Sequence, residues 1–169
     1  MKKLTSPNYV LPLVVGSLKS MRVIHDPSGS FRRLKRKSED LPIVCWRNAV
    51  RVGLEEMVED LGRVRNAYRS KNWTNFQIHS PPVALEAALV HSSLRRKAVL
   101  TEKDLLNRSS QGYAPRFTST LLTGAGMKQA KTKEVMNSLE DVSTSFYREA
   151  KDQRATPVSF SSALSGLPP

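Results

Sequence analysis

The sequence predicts a mainly α protein: three amphipathic helices plus a short one, with a minor short-strand β element and extended termini. Three observations lead there. One long stretch repeats apolar residues at helical spacing, two others open with helix-start chemistry, and short β-branched runs crowd the N-terminal third. At 169 residues the chain has room for one ordinary domain, or for a smaller core with long extensions. Its 39% hydrophobic and 25% charged residues are ordinary for a globular protein and argue against wholesale disorder. No run of 18 or more apolar residues occurs, so no stretch reads as a membrane-spanning helix.

The strands come first along the chain. Residues 9–15 ("YVLPLVV") and 20–26 ("SMRVIHD") are rich in β-branched side chains, and "DPSGS" after them is a turn by its Pro and Gly. Residues 41–46 ("LPIVCW") read as another short buried strand. From Asn48, taken as an N-cap, to Ser70, apolar residues fall at Val50, Leu54, Met57, Val58, Leu61, Val64 and Tyr68, which is one face of a helix. Arg51, Glu55, Glu59 and Arg63 stand at successive i,i+4 positions on another face, where opposite charges give modest support. Gly53 and Gly62 each weaken that helix by about 1 kcal/mol relative to Ala.

"NWTNFQIHSPP" reads as a connector, and Ser80 before Pro81 and Pro82 as the start of a second helix over 81–97. Thr101 and Asp104 resemble a capping box for a short helix through Leu105 and Leu106. The stretch 107–126 lacks any period and is expected to be a long loop that binds or drapes over a partner. A last helix over 128–153 carries the stripe Val135, Leu139, Val142, Phe146 and Ala150, a narrow seam suited to another helix or subunit. Three regions follow: a basic N-terminal extension with short strands (1–40), a helical core (41–153) and a Ser/Pro-rich tail (154–169).

Charge is the strongest compositional fact. Lys and Arg number 27 against 15 Asp and Glu, a net charge of +12. Residues 1–38 hold nine basic groups and one acid, Asp26, hence +8, which leaves +4 for the remainder. Such a field attracts polyanions, with RNA phosphates first and anionic lipid second. The densest run is "FRRLKRK", where Arg32, Arg33, Lys35, Arg36 and Lys37 are candidate phosphate contacts and Phe31 is placed to stack on a base. The run also matches a nuclear import signal loosely. A second cluster joins Arg65, Arg69 and Lys71 to Trp73, and a third is Arg95, Arg96 and Lys97. Both lie near helix ends, where cations also offset the helix dipole.

Catalytic and metal chemistry find no support in the sequence. His25, His79 and His91 share no metal-ligand spacing, and a single Cys45 completes no zinc set. "TGAGMK" departs from the P-loop pattern because Met127 separates Gly126 from Lys128, so its glycines are expected to turn the chain into the last helix. Glu55, Glu56, Glu59 and Asp60 read as a solvated face. "LEAALVHSSL" resembles the helix that opens ribonuclease III domains, over ten residues. The acidic signature helix of that family is missing here, so the likeness implies neither its metal nor its activity.

A lone cysteine favours a reducing intracellular compartment, the mitochondrial matrix or the cytoplasm, with the nucleus as a further option. The N-terminus imitates a secretory signal peptide until Pro12 interrupts it, and meets the composition of a mitochondrial presequence because no acid precedes Asp26. It is expected to remain part of the working protein. The expectation is therefore a non-catalytic structural component of a ribonucleoprotein particle, ribosome-associated, binding RNA and neighbouring protein subunits, with no cofactor and no small-molecule substrate. The alternatives are a peripheral membrane or matrix-type protein that meets anionic lipid and self-assembles, and a nuclear adaptor using 31–37 for import.

Overall fold

The computed structural model describes residues 9–106 and 115–153. These form seven α-helices and no strand among the described residues: α1 (Leu11–Ser20), α2 (Ser30–Glu39), α3 (Ile43–Arg69), α4 (Trp73–Leu94), α5 (Glu102–Leu106), α6 (Pro115–Gly124) and α7 (Thr132–Asp152). The mainly α class holds. The tail 154–169 and the first part of the expected loop, 107–114, lie outside the described residues.

Helices α3 and α4 form the frame. The apolar stripe read from the sequence is what α3 buries: Val50, Leu54, Met57, Leu61 and Val64 are all nearly inaccessible, with Val58 and Tyr68 packed at the edge. A tight turn at 70–72, with Lys71 at φ 55, reverses the chain, and the Asn72 side chain caps α4 by accepting the Asn75 N–H at 3.1 Å. The two helices therefore run antiparallel, and α4 sits in the middle of the fold. Its buried side chains, among them Phe76, Val83, Ala84, Ala87, Ala88, Val90 and Leu94, point in every direction because α3, α5, α6, α7 and α1 surround it. At Gly53 an added Cβ would lie 2.9 Å from Val90 Cγ2, so this glycine allows the close approach of α4. Gly62 differs: nothing lies within 4 Å of an added Cβ there. Gly62→Ala is thus expected to stabilise the fold by about 1 kcal/mol, read as a rise of about 2–4 °C in Tm; a fall in Tm would contradict the open surroundings of that position.

Each segment expected as a strand differs, for a physical reason. Pro12 occupies the first turn of α1, where its missing N–H costs nothing, so a proline read as an interruption starts a helix instead. Val15 is then fully buried, and α1 covers Leu11, Val15, Trp46 and Ala49 as a small second core. Residues 21–29 carry no regular structure, and Ile24 is 97% exposed, so they offer no buried strand face. Residues 43–46 are the first turn of α3, which starts five residues before Asn48; Ile43 and Val44 are exposed while Trp46 is buried.

The second predicted helix also starts earlier, at Trp73, and keeps Pro81 and Pro82 inside it. The carbonyls of Gln77 and Ile78 lose their donors there, but both residues are exposed, so water can replace them. Thr101 caps α5 with its side chain: its hydroxyl accepts the Asp104 N–H at 3.3 Å and donates to the Asp104 carboxylate at 2.9 Å, which is one half of the expected capping box. Part of the expected loop is helical, because α6 buries Leu121 against the core. Gly126, at φ 70, then turns the chain toward α7, which begins at Thr132 rather than at Lys128. The α7 seam is filled from within the chain: Leu139, Val142 and Phe146 are in the main core and Val135 packs against it. The seam's partners are therefore α3, α4 and α6 of the same molecule.

Candidate nucleic-acid interface

The basic run folds as α2, although nothing in "FRRLKRK" alone anchors a helix. Asp26 does so from outside: its carboxylate accepts the Arg32 N–H at 3.0 Å, and Gly29, at φ 63, turns the chain between them. These backbone bonds, led by that from Arg32, hold the Asp26 carboxyl below its usual range. The helix is two-sided. Phe31, Leu34 and Lys35 are half-buried and Ser38 is buried, one turn apart on the side next to α1, whereas Arg32, Arg33, Arg36 and Lys37 are exposed. Lys35 does not share the outer face; its Nζ donates to the Met21 carbonyl at 2.9 Å. Beside the helix, Phe31 and Leu34 floor a groove of about 570 Å³ that Arg33 and Lys37 border.

The other two clusters part company. Arg65 Nε donates to Glu140 Oε1 at 3.0 Å, joining α3 to α7, so its charge is shared with an acid of the fold. Arg69 and Lys71 are exposed at the α3–α4 turn, and Trp73 is 47% exposed, edge-on to Tyr68 with ring centroids 6.1 Å apart. Arg95 pairs with Glu149 at 3.0 Å. Arg96 and Lys97 are exposed at the opposite end of the α3–α4 pair. A helix of 27 residues is about 40 Å long, so the cluster around residue 70 and the cluster around residue 96 do not form one surface. The fold instead gathers Arg96 with the start of α3, where it adds Arg47, an exposed cation hidden in the sequence by reading 41–46 as a strand.

Acidic and histidine groups fall elsewhere. Glu86, on α4, is buried against the Glu56 and Asp60 side of α3, and its Oε2 has no hydrogen-bond partner. Burial first, then the nearby Asp60 and Glu56 charges, raise its carboxyl to about 8. Asp60 itself is held by Arg63 at 2.6 Å, and Arg63 also pairs with Glu59, so the solvated acidic face is real but has a buried member that the sequence hid thirty positions away in "LEAAL". His91 lies 5.2 Å from the Phe146 ring, and burial, then Arg95 and Lys97, lower it to about 4. Its Nδ1 is 3.9 Å from Glu149, an attraction that burial outweighs. His25 is exposed and His79 half-buried in other regions, Cys45 is half-buried, and the described residues contain no group of three or more His, Cys, Asp or Glu that could hold a metal. No described helix is long and apolar enough to cross a membrane. No family model, curated protein or solved structure matches this chain.

Proposed function

We propose that this protein is a non-catalytic structural component of a ribonucleoprotein particle, ribosome-associated and working in the mitochondrial matrix or cytoplasm, that binds RNA through α2. The observation that carries this reading is the outward face of α2, where Arg32, Arg33, Arg36 and Lys37 are exposed beside an apolar groove. Four cations spaced along one helix can neutralise successive phosphates of a single strand, releasing counterions. The groove over Phe31 and Leu34 has room for an unstacked base whose phosphate meets Arg33 or Lys37. Neighbouring subunits would then meet exposed apolar side chains such as Ile24, Val44 and Leu100.

The lipid alternative has less support. A surface-lying helix needs a broad apolar side for the bilayer, and α2 offers only the half-buried Phe31 and Leu34. Trp73, the other aromatic anchor, stands at the far end of α3 from α2.

The test is to sediment the native protein at low salt with and without ribonuclease, and to measure binding of single-stranded RNA across a salt series. Sedimentation in a large particle that ribonuclease dissolves is expected. Replacing Arg32, Arg33, Arg36 and Lys37 together with Gln should flatten the log–log salt slope by about 3, at about 0.7 per lost phosphate contact. An unchanged slope would remove α2 from the interface, and flotation with membranes would favour lipid. If the run served only nuclear import, the same variant would lose nuclear entry and keep its partners.

A further inference from the structure

Where the first turn of α3 meets the last turn of α4, a cleft of about 270 Å³ opens between Trp46 and Arg47 on one side and Ser93 and Arg96 on the other. Three independent features of this cleft favour an anion. The start of α3 has no side-chain cap and no acid in its first turn; its N-cap is Pro42, and Ile43 at N1 lines the cleft. That end of a 27-residue helix presents partial positive charge to whatever sits there.

The second feature is the pair of guanidinium groups. Arg47 and Arg96 come from positions 49 apart in sequence, and among the described residues no carboxylate lines the cleft between them. Arg96 also holds a position where glycine is the usual choice. The Lys97 N–H bonds the Ser92 carbonyl at 2.8 Å and the Arg96 N–H bonds the Ser93 carbonyl at 3.1 Å, the pattern that ends a helix with one left-handed residue, and Arg96 takes that conformation at φ 51. Arginine adopts it at a cost that glycine would avoid.

The third feature is Ser93. It is 1% exposed, it lines the cleft, and its hydroxyl is buried without a hydrogen-bond partner. A helical serine ordinarily donates back to the preceding turn; leaving this one unsatisfied costs stability unless a ligand oxygen accepts from it. Trp46 and Leu94, both nearly buried, give the cleft an apolar wall that strengthens charge-assisted hydrogen bonds.

We infer that this cleft is a binding site for a phosphomonoester group, held by the Arg47 and Arg96 guanidinium groups, the Ser93 hydroxyl and the free amides that open α3. A tetrahedral dianion has enough oxygens to meet donors arriving from three directions, and the volume admits a phosphate with a small ester but not a large ligand. The same group could end an RNA chain or belong to a free small ester. The site stands apart from the α2 face and does not depend on it.

The test is calorimetric titration of the full-length protein with inorganic phosphate, against sodium chloride of equal ionic strength. Saturable binding with a Kd of about 1 mM or tighter is expected. Arg47→Gln and Arg96→Gly should each weaken it at least about tenfold, and Ser93→Ala about threefold. Arg96→Gly carries the sharper signature, because it should raise Tm while it abolishes binding, whereas an arginine kept for structure would lower Tm. A chloride-like, unsaturable response, or a Kd indifferent to both arginine variants, would overturn the inference. Glycerol phosphate and a pair of short RNA oligomers, one with a 5′-phosphate and one with a 5′-hydroxyl, then separate the sources. Tighter binding of the phosphorylated oligomer than of glycerol phosphate assigns the site to an RNA end, and equal affinity assigns it to a free ester.

Discussion

Gly16→Ala is expected to lower Tm by about 4–8 °C and to shift tryptophan emission to the red. Helix α1 crosses the chain at residue 99 so closely that a Cβ on Gly16 would lie 1.9 Å from the Val99 carbonyl oxygen. The atom in the way is backbone, so no rotamer change relieves the overlap and the two segments must separate. Separation breaks the hydrogen bond from the Val99 N–H to the Pro12 carbonyl, at 3.0 Å, and opens the small core of Leu11, Val15, Trp46 and Ala49. Overpacking of this kind costs about 3 kcal/mol, which exceeds the gain of about 1 kcal/mol that alanine brings to a helix interior. For a chain of this size each kcal/mol moves Tm by about 2–4 °C. Thermal unfolding followed by circular dichroism gives the first number, and emission from Trp46, only 6% exposed in the fold, gives the second. A Tm within 1–2 °C of the parent would show that the crossing can relax. The consequence reaches function, since α1 is the helix that α2 packs on; loosening it frees the basic helix from the body.

Glu86→Gln is expected to remove most of the pH dependence of stability between about pH 6.5 and 8. An unfolded glutamate ionises near 4.5, whereas the folded environment keeps the Glu86 proton until about 8. The folded chain therefore holds one more proton than the unfolded chain across that interval, and raising the pH favours unfolding. The stabilisation is complete below 4.5 and is lost by the time pH passes 8. His91 runs the other way: held neutral down to about 4, it contributes stability above its ordinary 6.5 that disappears as pH falls. The two effects oppose each other below 6.5, so the upper interval isolates Glu86.

The part of the shift that falls within this interval corresponds to about 2 kcal/mol. Partial solvent screening of the carboxyl trims this to about 1.5 kcal/mol, or about 3–6 °C in Tm. The groups around Glu86 are Glu56, Asp60 and Arg63 on α3, with Tyr9, which precedes α1, also within reach of its charge. Glutamine reproduces the shape and the donor of the protonated acid, so the variant's advantage over the parent should widen steadily from pH 6 to pH 8. Parallel Tm curves for the two proteins across that range would sink the assignment.

Local pattern was enough to identify much of this protein. The stripe from Val50 to Tyr68, the helix start capped by Thr101 and the turn at Gly126 depend on residues within a few positions of one another, and each is present. The concentration of charge in residues 1–38 is likewise a property of composition. The sequence by itself therefore determined a mainly α chain, its longest amphipathic face and the place of its densest positive charge. Packing decided the rest. β-branched residues suit a strand or a buried helix equally, and only the covering of Trp46 and Ala49 by α1 selects helix for residues 11–20. The fate of each cation depends on what the fold brings opposite it: Glu140 engages Arg65, Glu149 engages Arg95 and the Met21 carbonyl engages Lys35, while Arg33 donates to Ser30 of its own helix. Arg47 and Arg96, or Glu86 and Asp60, become neighbours only when α3 and α4 lie antiparallel. Helical periodicity is a short-range property of the chain, whereas such pairings join residues tens of positions apart and exist only after the core has brought their helices together.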